Sequence, residues 1–430
     1  MATIEDGFTN YLTFGEIKLA AARIDDGIIH TPLCEAKMSK FLDYDIYLKC
    51  ENLQYTGSCT ERGISNFIGA REEELKMRGM ILPSNGYMAL AAAYHAGLHG
   101  IPVNPTLNRC VVSVVLPNRA SPATAERCSE LGADVIICGD NLHETYAYAR
   151  KASEESGKIL LSDDDPLMMS GLGTVGLEII SQLPETDAVI VPVGSGALLA
   201  GVLMSCKKLK PSCLVYGAEC SKVPRMMKSL QEGKPVAVPI VPNLAEGMNV
   251  PFVGQNAFDT ISGMVDRMLE VDEPYIARAV INVLERERLV ADGAGVCAIA
   301  AVLQGLVPEL RGKRIVCIIG DGNVEAGRLA RTIHRGLGAF NRLLKFTVPI
   351  PDQGDGLATL AKTIAEENAV LRSLVTEHTW ISNDVSSTWA NVVLETANDV
   401  HATNVKDKLR DLYPTARFAL QEDAKLTLTM

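Results

Sequence analysis

Short, nearly continuous apolar runs alternate with stretches of helical length over the first three-quarters of the chain. DIYLK (45–49), VVSVVLP (111–117), ADVIICG (133–139), DAVIVPVG (187–194), CLVYGAE (213–219) and RIVCIIG (314–320) predict strands. Between them, Ser121–Leu131, Asn141–Glu155, Gly196–Lys208 and Glu273–Glu287 predict helices. Strands this apolar have both faces covered, so the expectation is an α/β body built on parallel sheet. The pattern changes after about residue 340. KFTVPIP (345–351) reads as a strand, and Leu357, Leu360, Ala361, Ile364 and Ala365 form a helical stripe. AVLRSLVTEH and WANVVLET follow as strands, Val405, Leu409 and Leu412 mark a second helix, and ARFAL a last strand. The order β-α-β-β-α-β predicts a ferredoxin-like α+β domain.

Composition narrows the function classes. The chain has 41 basic and 52 acidic residues, a net charge of −11, which disfavours a general nucleic-acid binder. No run reaches the roughly 18 apolar residues that a membrane helix needs. The first residues, MATIEDGFTNYL, carry early acids and no basic-then-apolar pattern, so no secretory signal is expected. There are eleven cysteines with no CxxC pair, most of them in apolar runs. Free thiols acting as small core hydrophobes predict a reducing, cytoplasmic setting.

Four segments suggest chemistry. Gly194, Ser195, Gly196, Ala197 and Leu198 follow a strand and open a helix, where converging backbone N–H groups suit a phosphate; an ordinary tight turn fits equally well. Gly171–Gly176 matches G-x-G-x-x-G but follows no clean strand and has no acid about 20 residues on, so packing at a helix start is the better reading. His95 and His99 are spaced i, i+4 but lack a third ligand, and no metal is expected there. No G-x-S-x-G elbow is present.

The ordered segments HTPL (30–33), YLKCENLQYTGS (47–58), ERG (61–63), DDP (164–166), G-x-GT-x-GLEI (171–179), VPVGSGALLAG (191–201), LAEG (244–247), LVADGAG (289–295) and GDGN (320–323) carry a resemblance over nearly the whole chain. The chain resembles the threonine/serine dehydratase (ammonia-lyase) branch of the fold-type II pyridoxal-phosphate enzymes. The C-terminal unit resembles the ACT regulatory domain, with PDQGDG (351–356) in its first turn and His401 in its second helix. The resemblance implies a two-lobed, tryptophan synthase beta-like body. Its large lobe would span 1–56 and 159–335, its small lobe 57–158, with an ACT-like domain over 340–430.

The same resemblance exposes departures. The family's Phe-Lys after TGS, whose lysine forms the Schiff base, falls on Cys59 and Thr60. A hydroxyl cannot form an imine, and losing the general base alone costs about 10²–10⁴ in rate. The segment Ser-x-Gly-Asn-His-x-Gln becomes Ser84, Asn85, Gly86, Tyr87, Met88, Ala89 and Leu90. Substrate contacts are therefore expected at Ser84, Asn85 and Gly86, and a degenerate cofactor-ring contact at Tyr87. The pyridine-nitrogen partner falls on Gly320 and the family's GQGT glutamine on Leu172. Tyr87 or Asp321 taking over a cofactor contact stays open. Lys49 fits a structural or surface charge at a strand end better than a replacement amine. Glu219 matches an acid that holds a cation in serine-racemase-like members, but Lys222 spoils the pattern and no metal is expected.

Three functions remain. The leading one is a pseudoenzyme that binds, regulates or assembles, with pyridoxal phosphate weak, non-covalent or absent. The alternative is an active pyridoxal-phosphate-dependent threonine/serine ammonia-lyase with a rearranged site. The third is a scaffold that binds no small molecule. The implied partners are a small amino acid at the ACT-like unit and a second copy or an active paralogue, with no nucleic acid and no membrane.

Overall fold

The computed structural model describes residues 12–101, 112–379 and 385–419. The chain divides into two units, Met1–Glu325 and Ala326–Met430. Within the first unit the helices used below are α1 (Phe14–Ile24), α2 (Thr60–Ala70), α3 (Tyr87–Leu98), α4 (Pro166–Gln182) and α5 (Ala197–Leu209). Its strands are β1 (Leu33–Glu35), β2 (Asp45–Cys50), β3 (Met80–Pro83), β4 (Val112–Leu116), β5 (Asp134–Ile137), β6 (Ile159–Leu160), β7 (Ala188–Pro192), β8 (Leu214–Cys220), β9 (Arg267–Val271) and β10 (Arg314–Ile319).

The large lobe is a six-stranded sheet in the order β1-β2-β10-β7-β8-β9, parallel except for β1 at one edge. The small lobe is an all-parallel sheet in the order β5-β4-β3-β6. All five residues of β7 and of β4 are buried, which is why these runs carry no polar alternation. Strand β6 pairs with β3, so the small lobe reaches past the expected limit at residue 158. No helix among the described residues is long and apolar enough to cross a membrane.

The G-x-G-x-x-G segment lies in the interior of α4, not at its start. That helix begins at Pro166, where the Asp165 side chain accepts from the Leu167 N–H. A Cβ on Gly171 would stand 2.3 Å from the Arg62 carbonyl oxygen, and one on Gly173 would stand 2.7 Å from Ile17. A Cβ on Gly176 would stand 2.8 Å from Ser205. The glycines thus let α2, α1 and α5 approach the backbone of α4.

A buried ionic network ties the same helices to β2. Arg62 on α2 is fully buried; it donates to Glu51 from Nε at 2.7 Å and Nη2 at 2.8 Å, and to Glu178 on α4. Lys49 is also fully buried, donating to Glu178, to the Thr31 carbonyl at 2.8 Å and to Gln182 at 3.0 Å. Lys49 is therefore a structural charge and not a surface one.

The second unit contains α6 (Ala326–Ala339), β11 (Leu343–Pro351), α7 (Gly354–Glu366), β12 (Val370–Glu377), β13 (Ser387–Glu395), α8 (Asp399–Leu412) and β14 (Arg417–Phe418). From β11 onward this is the β-α-β-β-α-β order, in an antiparallel sheet β12-β13-β11-β14. The resemblance places the body's end at about residue 335, but α6 runs through that position and packs on β11. Leu360, Ile364, Val405 and Leu409 are buried in this unit's core, whereas Leu357 and Leu412 are exposed. His401 accepts from the Ala397 N–H at Nδ1, and its Nε2 donates to the Glu367 carbonyl at 2.7 Å, joining α8 to the end of α7.

Gly171→Ala should lower stability by about 1–3 kcal/mol through overpacking, while Gly97→Ala, with open space around it in α3, should raise it by about 0.5–1 kcal/mol. Urea unfolding midpoints test both. Glu178→Ala removes the carboxylate that Arg62 and Lys49 both hold closely, leaving Lys49 only the more distant Glu51 at 4.0 Å, and should cost about 3–5 kcal/mol in the same assay.

Candidate functional site

A cavity of about 110 Å³ opens at the carboxyl ends of β3, β7 and β10, where parallel sheets commonly place ligands. Its wall combines the start of α2, the turn after β3, the loop between β7 and α5, and Asp321 just after β10. Thr60, Ser84, Asn85, Tyr87 and Gly194–Leu198 all line it. Gly86 and Gly320, expected at the site, are not among the lining residues. Met88 and Leu172 line the cavity, but Leu90 is buried in the small lobe's core and faces no ligand space.

The loop after β7 needs its glycine. Gly196 has φ +102°, which side-chain-bearing residues rarely adopt, and a Cβ there would stand 2.6 Å from the Met226 methyl group. The turn after β3 is similar. Gly86 has φ +133°, and the Ser84 hydroxyl accepts from the Gly86 N–H at 2.9 Å and the Ala89 N–H at 3.3 Å. The Asn85 amide donates to the Glu246 carbonyl at 3.1 Å. Ser84 and Asn85 therefore shape the start of α3 while lining the cavity.

Thr60 is the first residue of α2, and its hydroxyl lies 2.8 Å from the Ser58 hydroxyl. Ser58 in turn donates to Asp321. Thr60, Ser58 and Asp321 thus form one hydrogen-bonded chain along the cavity. Cys59 donates its N–H to the Gly320 carbonyl at 2.9 Å, and its sulfur would lie 3.8 Å from a Cβ built on Gly320. The thiol fills space beside the glycine, and burial pushes it well above its ordinary range, which keeps it unreactive.

Three carboxyls that sequence reasoning gave no role, or only an open one, dominate the electrostatics. Asp321 lines the cavity; burial, helped by the nearby Asp292 carboxyl, pushes it up to about 7. Asp292 accepts from the Tyr87 hydroxyl and from the Gly295 N–H at 2.7 Å, and burial pushes it up to about 6. Asp163 lines the cavity beside the glycine loop. Burial pushes it up to about 6 against hydrogen bonds from Ser195 and from Tyr146, whose hydroxyl lies 3.3 Å away. Their sequence signal is an aspartate directly behind an apolar run, in LLSDDDP, LVADGAG and CIIGDGN. Tyr87 is thus committed to Asp292. No lysine, arginine or histidine lines the cavity among the described residues.

The remaining candidates are structural. His95 is buried with Nε2 3.3 Å from Glu61, and His99 lies 2.9 Å from Glu72. Glu219 accepts from the Met226 and Met227 N–H groups at 3.0 and 2.8 Å, and Lys222 pairs with Glu273 at 2.6 Å.

Asp321 binds a proton in the folded chain between its ordinary 3.8 and about 7, a range in which the unfolded chain has released it. Stability therefore falls as pH rises through that window. Asp321→Asn should flatten the fall, by on the order of a few kcal/mol in total. Thermal or urea midpoints of both proteins from about pH 5 to about pH 8 measure it.

Residues 24–321 match the family described as "Pyridoxal-phosphate dependent enzyme". The chain is 36% identical to the L-threonine ammonia-lyase of Geobacter sulfurreducens over 373 residues, 86% of this chain and 90% of that one. It is 32% identical to the L-threonine ammonia-lyase of Thermotoga maritima over 399 residues, 92% and 96% of the two chains. Among solved structures, maize serine racemase superposes with a TM-score of 0.69 at 27% identity, covering 76% of this chain and 99% of that one. Threonine deaminase isoform 2 of Solanum lycopersicum gives 0.69 at 28% identity, with 78% and 95% covered. With the sheets, the glycine loop and the cavity in this arrangement, the chain belongs to the pyridoxal-phosphate-dependent enzyme family, alongside its threonine ammonia-lyase-like members.

Proposed function

We propose that this chain is a pseudoenzyme: it keeps the threonine ammonia-lyase fold without Schiff-base chemistry and acts by binding, regulation or assembly. One observation carries the reading. Thr60 stands at the start of α2, where the resemblance puts the lysine, and no lysine lines the cavity among the described residues. An imine needs an amine, and a hydroxyl hydrogen-bonded to Ser58 supplies neither the amine nor a base of suitable pKa.

The residues present do not fit the cofactor as a covalently held group. The cavity of about 110 Å³ is smaller than the about 150 Å³ that accommodates benzene, whereas pyridoxal phosphate adds a phosphate arm and ring substituents to a ring of that size. Gly320 offers no side chain to the ring nitrogen, and Asp163 sits against Ser195 in the loop that would receive the phosphate. On this reading pyridoxal phosphate is a weak, non-covalent ligand or none.

A second reading, an active lyase with a rearranged site, draws on Asp321. A carboxyl titrating near neutrality and linked through Ser58 to Thr60 suits acid–base work. It still lacks an amine in the cavity among the described residues. For the C-terminal unit, the ferredoxin-like topology supports an ACT-like role, either as a dimerisation module or as a receptor for a small amino acid. The same reading takes the chain as a cytoplasmic homo-oligomer or as the partner of an active paralogue.

The purified chain with added pyridoxal phosphate should show no imine absorption band, and borohydride should leave no cofactor on any lysine. Threonine should yield no ammonia and no 2-oxobutanoate above background. Sustained 2-oxobutanoate release, or reduced cofactor on a named lysine, would overturn the reading in favour of the rearranged lyase.

A further inference from the structure

Several acids away from the cavity are paired with cations, as Glu51 and Glu178 are with Arg62, and Glu273 is with Lys222, while Glu219 is met by backbone N–H groups. The acids at the cavity are not paired with cations. Asp163 and Asp321 line it and Asp292 stands behind the Tyr87 hydroxyl; hydroxyl and backbone donors meet all three, and none forms an ion pair among the described residues. Burying a carboxylate without a counter-charge is costly, so such a group either takes a proton or gains a cation. Among the described residues the cavity wall provides no cation, so a guest from solution can supply the charge that otherwise only a proton provides.

Other features of the wall select the kind of cation. The side chains of Met88, Leu172 and Leu198 make part of the wall apolar, which suits a short carbon chain better than a bare metal ion. No cluster of three or more histidine, cysteine or acidic groups able to hold a metal exists among the described residues. The rings of Tyr87 and Tyr146 in the wall favour a cation over an anion. The volume of about 110 Å³, against about 150 Å³ for a cavity that takes benzene, favours a small guest. A carboxylate on that guest would meet Asp163 beside the glycine loop.

We propose that the cavity binds a small organic ammonium ion without a carboxylate, its charge against Asp321 and its carbon chain against Met88, Leu172 and Leu198. The proposal rests on the reading that no imine-bound cofactor fills the cavity. Binding displaces the proton from Asp321, which burial and the Asp292 and Glu51 carboxyls hold up to about 7. Glu51 is itself paired with Arg62, and the Cys59 thiol beside Asp321 stays protonated. Affinity therefore rises with pH through neutrality.

Calorimetric titration of the full chain, free of added cofactor, with propylammonium chloride tests this. Binding should be about ten- to thirtyfold tighter near pH 8 than near pH 5.5, the factor expected for a competing proton with a pKa of about 7. Asp321→Asn, shown by its melting curve to be folded, should weaken binding at least about tenfold near pH 8 and reduce the pH dependence to what Asp163 and Asp292 leave. Potassium chloride, inorganic phosphate and alanine at equal concentration should not displace the amine. The pH dependence in the unmodified chain tests the proposal even if the variant fails to fold. No binding, equal affinity in a folded Asp321→Asn variant, or displacement by potassium, phosphate or alanine would overturn it. An imine band with added pyridoxal phosphate would refute the underlying reading; absent ammonium binding without such a band would refute this proposal alone.

Discussion

A guanidinium removed from water must find carboxylates, and Arg62 finds two. Its bonds to Glu51 and Glu178, with Lys49 sharing Glu178, join β2, α2 and α4 through groups that cannot be left unpaired without large cost. Arg62 lies two residues beyond Thr60, so the network fixes the first turn of α2 and with it Cys59 and Thr60. The hydrogen-bonded chain from Thr60 through Ser58 to Asp321 inherits that rigidity. The wall of the cavity is thus held in place by the protein itself, and no bound group is needed to define it.

Against that background the cavity inverts the usual charge logic of a phosphate-binding loop. The turn at Gly194–Ala197 still opens a helix and still presents N–H groups. Yet Asp163 bonds to its serine, and Asp321 and Asp292 add two more acids that form no ion pair among the described residues. Desolvation resolves the conflict by raising all three towards neutrality. The pocket is consequently sensitive to protons in the physiological range.

The central strands were legible in the amino-acid sequence because burial on both faces leaves mainly apolar residues, as in β7 and in β10 beyond Arg314. The short strands β1 and β6 have too few residues to show any period. Strand β3 ends on Pro83, which reads as a turn, and β9 mixes exposed Arg267 and Glu270 with buried Met268 and Leu269. Thr60, Tyr87 and the glycine loop were legible because ordered motifs fixed their positions. The acids were not, since an aspartate after a strand looks the same whether it caps a helix or lines a cavity. Leu90 and the Gly171–Gly176 segment were misplaced for a related reason. Motif spacing does not say which side of a helix faces the ligand and which faces its neighbours.

Those interior glycines have a consequence for the whole body. Where Gly171 and Gly201 press against neighbouring main chain, the separation of α2, α4 and α5 is set by backbone atoms rather than by the volumes of side chains. A frame gauged in this way keeps its dimensions when the residues bordering the cavity are exchanged. The scaffold and the side chains that border its cavity are mechanically separable, so residues such as Thr60 can vary while the surrounding architecture stays within the family's form.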